Sequence, residues 1–352
     1  MSAADVTTSA QTPRAEGFAM PAEWAPHERC LIAWPVAARD YWGELFPLAQ
    51  ATHAAVAKAI ARFEPVLVVA APGEGAGARD HCGSDVEVIE LPIDDSWIRD
   101  SGPILLTRAD GARAAADFAF NAWGGKYPPW DKDDSVSELL CDHLGVRRFR
   151  APVVLEGGAI TVDGEGTLIT TESCLLNPNR NPGLDRAGIE ETLREYLGVR
   201  KVIWLKEGRA TDAVTDGHVD GICHFLGLGR VILHVVRDEH QPGHEASLEN
   251  RRRLETTDAL GRELQVVEFD HMTPMSAGGQ ELTATYINSY QANGALIVPT
   301  AGTPSDEPAL EKLREILPGR AVVGVPTPVL AFAGGGIHCI TQQVPRPRKD
   351  ER

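Results

Sequence analysis

The side chain best suited to nucleophilic attack lies near the C-terminus, in Gly334-Gly335-Gly336-Ile337-His338-Cys339-Ile340-Thr341-Gln342-Gln343. A cysteine needs only a modest fall in pKa to present a thiolate near neutral pH. Three glycines let the backbone approach a ligand closely. Most cysteines are simply small buried apolar residues, so the role of Cys339 turns on what the rest of the chain brings to it. Three polar clusters supply candidates. Asp100 ends Asp94-Asp95-Ser96-Trp97-Ile98-Arg99-Asp100, Glu156 stands in Leu155-Glu156-Gly157-Gly158, and His218 and Asp220 close Thr215-Asp216-Gly217-His218-Val219-Asp220. Three carboxylates and a thiolate around one site are costly unless a cation sits among them. A guanidinium is the natural complement, being planar and cationic, with donors on several edges for paired carboxylate contacts. It is a poor electrophile, so it must be gripped and its leaving nitrogen protonated. His218 can be that acid and then activate water as a base. In an extended segment Val219 points away, so His218 and Asp220 share a face.

Other roles stay open at this point. Asp100 could pair with Arg99, and Glu156 could cap a turn. His218-x-Asp220 plus a third histidine (His234, His240, His244, His271 or His338) is the ligand pattern of a non-haem iron oxygenase, which has no need of the glycine-rich cysteine segment. Neighbours on an extended chain point to opposite faces, so His338 is expected to be structural. Cys223 and His224 read as strand-core residues. Trp123, between Asn121-Ala122 and Gly124-Gly125, could wall a pocket or simply pack.

Helical spacing predicts helices at 46–63, 135–144, 185–197, 245–260 and 307–317. Strand pairs lie between them, and 153–172, 215–234 and 284–299 read as hairpins, the last around Asn293-Gly294. The polar clusters at Asp100, Glu156, His218, Asn288 and Cys339 recur roughly every 50–70 residues, a degenerate repeat of one β-rich unit plus a helix. Radial repetition places equivalent loops around one axis. A single catalytic domain at 18–345, with a flexible tail at 1–17 and a charged tail at 346–352, is preferred to a two-domain α/β split near 150–180. With 34 Lys plus Arg against 50 Asp plus Glu, the net charge of −16 argues against nucleic acid and suits a cationic small molecule. The six cysteines are scattered without metal or disulfide spacing, as expected for reduced thiols in a cytoplasm. The start of the chain lacks the apolar core of a signal peptide, and no run approaches the roughly 18 apolar residues of a membrane span.

With Met20-Pro21-Ala22-Glu23-Trp24 and Phe120-Asn121-Ala122-Trp123-Gly124-Gly125 added, six motifs stand in an order that resembles the agmatine deiminase family of the guanidino-group-modifying (pentein) superfamily, from about Gly17 to Pro345. The resemblance implies an α/β fold, a five-bladed propeller of ββαβ units with a central active site. It implies a nucleophilic Cys339 that forms a thiouronium with loss of ammonia, His218 as acid and then base, and Asp100, Glu156 and Asp220 as guanidinium-binding carboxylates. Trp97, Trp123, Asp94 and Gly336 match pocket positions. No metal or cofactor is implied. The substrate would be agmatine and the product N-carbamoylputrescine, in polyamine synthesis by a dimer or larger assembly. Another guanidine, such as a longer aminoalkylguanidine or peptidyl arginine, is the alternative substrate. The chain departs from the family pattern at Asn288-Ser289, Thr300-Ala301-Gly302-Thr303 and Gly221, expected near the pocket's periphery.

Overall fold

Hydrogen bonding gathers the strands into six small sheets interleaved with helices, a mixed α/β architecture. The computed structural model describes residues 12–277 and 280–347. Five of the sheets repeat one plan: two antiparallel strands, then a helix, then a third strand parallel to the second. A parallel return needs such a crossover. In the first, Ile104–Thr107 and Arg113–Ala119 are followed by helix Asp131–Leu144 and strand Arg147–Val154. The order recurs in Ile160–Val162, Thr167–Thr171, helix Arg186–Leu197 and Lys201–Leu205. It recurs again in Cys223–Gly227, Arg230–His234, helix His244–Arg253 and Gln265–Phe269. A fourth copy is Tyr290–Ala292, Ala295–Thr300, helix Asp306–Ile316 and Ala321–Pro326.

The fifth unit is shared between the ends of the chain. The C-terminal strand Thr341–Pro345 pairs antiparallel with the N-terminal strand His27–Ala33; helix Phe46–Ala61 and parallel strand Val66–Ala70 complete it. Helix Gly75–Cys82 and strand Glu87–Glu90 extend that sheet, and Met272–Ala277 with Gln280–Thr285 forms a separate hairpin.

Local sequence explains these elements. All five residues of Val66–Ala70 are apolar and buried, as a strand with parallel neighbours on both sides requires. Helix Arg186–Leu197 is capped by the Asp185 carboxylate, which accepts the Gly188 N–H. It buries Ile189, Leu193 and Leu197 along one stripe and stops at Gly198, in the left-handed region at φ 69°. The helix expected over 245–260 ends at Arg253, because the Asp258 carboxylate accepts the Leu260 and Arg262 N–H groups and folds that stretch into a loop. Helix Gly75–Cys82 has no sequence signal, since its glycines weaken helical propensity; the Glu90 carboxylate holds its start through the Gly73 and Gly75 N–H groups. Of the two expected tails, residues 1–11 and 348–352 lie outside the described residues, and Arg14–Glu16 forms a short turn whose Arg14 pairs with Glu195. No described helix is long and apolar enough to cross a membrane.

Candidate active site

Each repeated unit offers the turn just before its first strand. Asp100 lies on the short helix Ile98–Ser101, Glu156 and Gly158 lead into Ile160, His218 and Asp220 into Cys223, Asn288 into Tyr290, and Cys339 into Thr341. These turns meet. A Cβ added to Gly158 would lie 2.6 Å from His218 Nδ1, 2.8 Å from Asp100 Oδ1 and 3.0 Å from Asp220 Oδ2, so only glycine lets the three groups converge. Cys339 Sγ stands 3.5 Å from both Asp220 Oδ2 and Asn288 Oδ1. It lines a pocket of about 220 Å³ together with Tyr41, Asp95, Trp97, Asp100, Trp123 and Tyr127. A smaller cavity of about 30 Å³, bordered by Asp220, Asn288 and Gly336, also reaches the thiol.

The carboxylates are held by different partners. Asp100 accepts the Trp123 indole N–H at 2.9 Å and the Gly158 N–H at 2.9 Å. Trp123 reaches it from a left-handed backbone (φ 56°) in a turn tied by Asn121 Oδ1 to the Gly124 N–H. Glu156 Oε1 accepts from Arg180 Nε at 2.6 Å, and that guanidinium is itself pinned by Asp216 and the Thr215 carbonyl. Asp220 Oδ2 accepts from His338 Nδ1 at 2.9 Å. Glu156 Oε2 and both ring nitrogens of His218 are buried without a hydrogen-bond partner among the described residues. The imidazole stands 3.8 Å from Asp100 and 3.9 Å from Glu156, too far to bond either.

Burial would push His218 down, but Asp100, Cys174 and Glu156 lift its pKa well above the usual value, so it carries a proton at neutral pH. Burial, Asp220 and Asp100 push the Cys339 thiol far up. Burial also raises Asp100, whereas in Asp220 the His338 contact overrides burial and holds the pKa at about 2. The site therefore pairs a protonated thiol with a protonated imidazole, inside a ring of carboxylates.

The free enzyme should accordingly show slow alkylation of Cys339 at pH 7. The iodoacetamide rate should climb about tenfold per pH unit past pH 9, because the thiolate is the reactive form. The other five cysteines are fully or almost fully buried, so mass spectrometry should find the label on Cys339. A rate that levels off below pH 7 would show a preformed thiolate and contradict this electrostatic account.

The structure brings Cys339, His218, Asp220, Glu156, Asp100, Trp97 and Trp123 together. It turns Asp94 elsewhere: its carboxylate accepts the Lys132 N–H at 3.0 Å and caps helix Asp131–Leu144, while Asp95 lines the pocket instead. Gly336 borders the smaller cavity, where a Cβ would strike Asn288 Oδ1 at 2.3 Å. Arg99 does not pair with Asp100; it bonds the Gln342 and Gln343 side chains and the His338 carbonyl. Among the described residues two groups of three close metal-donor side chains occur, Glu23–His224–His338 and Glu156–Cys174–His218, and neither joins His218 to Asp220.

The sequence profile of the Porphyromonas-type peptidyl-arginine deiminases matches residues 19–345. The chain belongs to that family. It is 42% identical to the agmatine deiminase of Ectopseudomonas mendocina, over 97% of this chain and all of that one. It is 43% identical to the agmatine deiminase of Pseudomonas aeruginosa, over 96% and 98%. The solved agmatine deiminase of Enterococcus faecalis superposes with a TM-score of 0.90 at 35% identity, covering 97% of this chain and 99% of that one.

Two contributors in this deiminase-family site escape a sequence reading. Arg180 is fully buried in Asn177-Pro178-Asn179-Arg180-Asn181-Pro182, whose density of turn residues is its only signal. His338 does not face away from Cys339: the two sit on a tight 3-10 turn, His338–Ile340, rather than an extended strand, and both reach Asp220.

Proposed function

We propose that this protein hydrolyses agmatine to N-carbamoylputrescine and ammonia through a covalent intermediate on Cys339. The observation that carries the proposal is the buried set of unsatisfied groups beside the thiol: Glu156 Oε2 and both His218 nitrogens, with Asp100 and Asp220 alongside. Asp100 has only neutral N–H donors bonded to it, so it is the carboxylate best placed to receive a new cation. A guanidinium entering here gains paired charge-assisted hydrogen bonds. It also cancels the negative field that keeps the thiol protonated, and the thiol proton leaves for solvent as the cation arrives.

The thiolate then attacks the guanidinium carbon. His218 gives its proton to one nitrogen, which leaves as ammonia, and the carbon stays bonded to sulfur as a cationic thiouronium. Neutral His218 next takes a proton from water as the hydroxide adds to that carbon. When the C–S bond breaks, the thiolate departs, the hydroxyl proton is lost and the urea group of the product remains. A radial, five-bladed arrangement of the repeated units fits this chemistry, and its support is the convergence of five equivalent turns on one thiol. The product suits polyamine synthesis, and six free cysteines suit a reducing cytoplasm.

Specificity follows from the outer pocket. Tyr41, Trp97, Trp123, Tyr127 and Phe332 line it and present rings to the substrate's ammonium tail. Asp95 faces the same space, bonded to the Tyr41 hydroxyl at 2.7 Å and to Arg39 at 3.1 Å. Among the described residues no lysine or arginine lines this pocket, so the α-carboxylate of arginine would meet Asp95 unpaired. Ammonia release by purified protein should favour agmatine over arginine by on the order of 10³ or more in kcat/KM. Arginine or another guanidine outranking agmatine would overturn the substrate assignment.

A further inference from the structure

We propose that Glu23 and His338 are positioning residues for this reaction: His338, hydrogen-bonded at both ring nitrogens, links Glu23 to Asp220 and fixes the Asp220 carboxylate against the Cys339 thiol. The proposal rests on the deiminase reading of the site. His338 Nδ1 lies 2.9 Å from Asp220 Oδ2, and Nε2 lies 3.0 Å from Glu23 Oε1. All three side chains are buried. Ionised carboxylates only accept, so both ring nitrogens must carry hydrogens and the ring is an imidazolium. Its bonds are charge-assisted and strongly directional.

Arg99 and His224 also lie against His338. Arg99 donates to the His338 carbonyl at 3.2 Å, and the His224 ring meets it edge-on at 4.8 Å. Burial and Arg99 push His338 down, while Glu23 and Asp220 push it up and prevail. His224 is held down by burial and by His338, and its Nε2 bonds the Asp220 carbonyl. Glu23 is thus the second negative charge that keeps His338 cationic beside Arg99. That gives a task to the N-terminal Met20–Trp24 motif, whose carboxylate does not line the substrate pocket. Glu23 is itself anchored, because its carbonyl meets His27 Nε2 at 2.7 Å and His27 Nδ1 meets Glu64.

The test combines Glu23→Gln, His338→Gln and ¹⁵N-histidine NMR of the full chain. In wild type the His218 and His338 imidazoles should both stay doubly protonated as the pH rises past neutrality, and the His338 signal is the one that vanishes in His338→Gln and survives in His218→Ala. His338→Gln removes the cation beside Asp220. The carboxyl then protonates at higher pH, and the acid limb of kcat/KM for agmatine should move up by about one unit or more. Glu23→Gln lets His338 lose its proton sooner, so the alkaline limb should move down. In both variants kcat should fall by on the order of 100-fold, as for a misplacement of about 1 Å, with KM changed far less. Folded variants whose pH limbs superimpose on wild type, even at reduced activity, would mark a merely structural role and overturn the proposal. So would a wild-type His338 carrying a single proton. The NMR signal needs no substrate, so a failure of the deiminase reading, seen as no ammonia from wild type, is distinct from a failure of the relay, seen as loss of that signal.

Discussion

Cys339→Ser should abolish ammonia release from agmatine, by on the order of 10⁴-fold or more in kcat, while agmatine still binds. A serine hydroxyl ionises far above the range in which a cationic ligand can shift a thiol, so it needs a base. Both imidazoles near the thiol, His218 and His338, are held in the protonated form and cannot serve as that base. Asp100, Glu156 and Asp220, the carboxylates proposed to grip the guanidinium, are untouched by the substitution. Calorimetry should therefore report binding within a few-fold of the wild-type KM. Rapid acid quench and mass spectrometry should trap an agmatine-derived adduct on wild-type Cys339 and none on the variant. Turnover within tenfold of wild type would remove the covalent mechanism.

Gly158→Ala should also be strongly damaging, although it adds only a methyl group at a residue with no side-chain chemistry. That methyl would sit at 2.6, 2.8 and 3.0 Å from His218, Asp100 and Asp220. Two of the three cannot retreat freely: Asp100 is held by Trp123, and Asp220 by His338. Displacing them by about 1 Å should cost on the order of 100-fold or more in kcat/KM. Overpacking should cost about 1–3 kcal/mol in stability. Gly77→Ala, in a helix with open space around it, is the control and should leave turnover unchanged. Wild-type kinetics in folded Gly158→Ala would mean that the three groups do not act at the separations seen here.

The catalytic candidates were legible because each stands in a short polar segment between runs of strand and helix, and those boundaries carry strong local signals. Helix Arg186–Leu197 announces itself through its cap, its apolar stripe and its terminal glycine. What stayed hidden depends on distant partners. Nothing near Asp94 says that its carboxylate will cap helix Asp131–Leu144 while Asp95 turns inward. Nothing near Glu23 says that it will meet His338, 315 residues away. The expectation for His338 failed for a local reason instead: a tight turn replaced an extended backbone, and the alternation of faces disappeared with it. Of the parallel third strands, Val66–Ala70 reads as an apolar run, whereas Arg147–Val154 carries three arginines and does not; their pairing is set by crossover helices rather than by neighbouring residues.

The fifth sheet joins strand Thr341–Pro345 to strand His27–Ala33, and Cys339 lies immediately before the former. During synthesis the carboxylates, the imidazole and the walls of the pocket all emerge well ahead of the thiol. Strand Thr341–Pro345 can dock on His27–Ala33 only after the roughly 300 residues between them have left the ribosome. A product truncated before residue 338 would hold Asp100, Glu156, His218 and Asp220 but lack both Cys339 and the His338 ring that bonds Asp220. The pocket is thus completed late, when strands His27–Ala33 and Thr341–Pro345 close on each other.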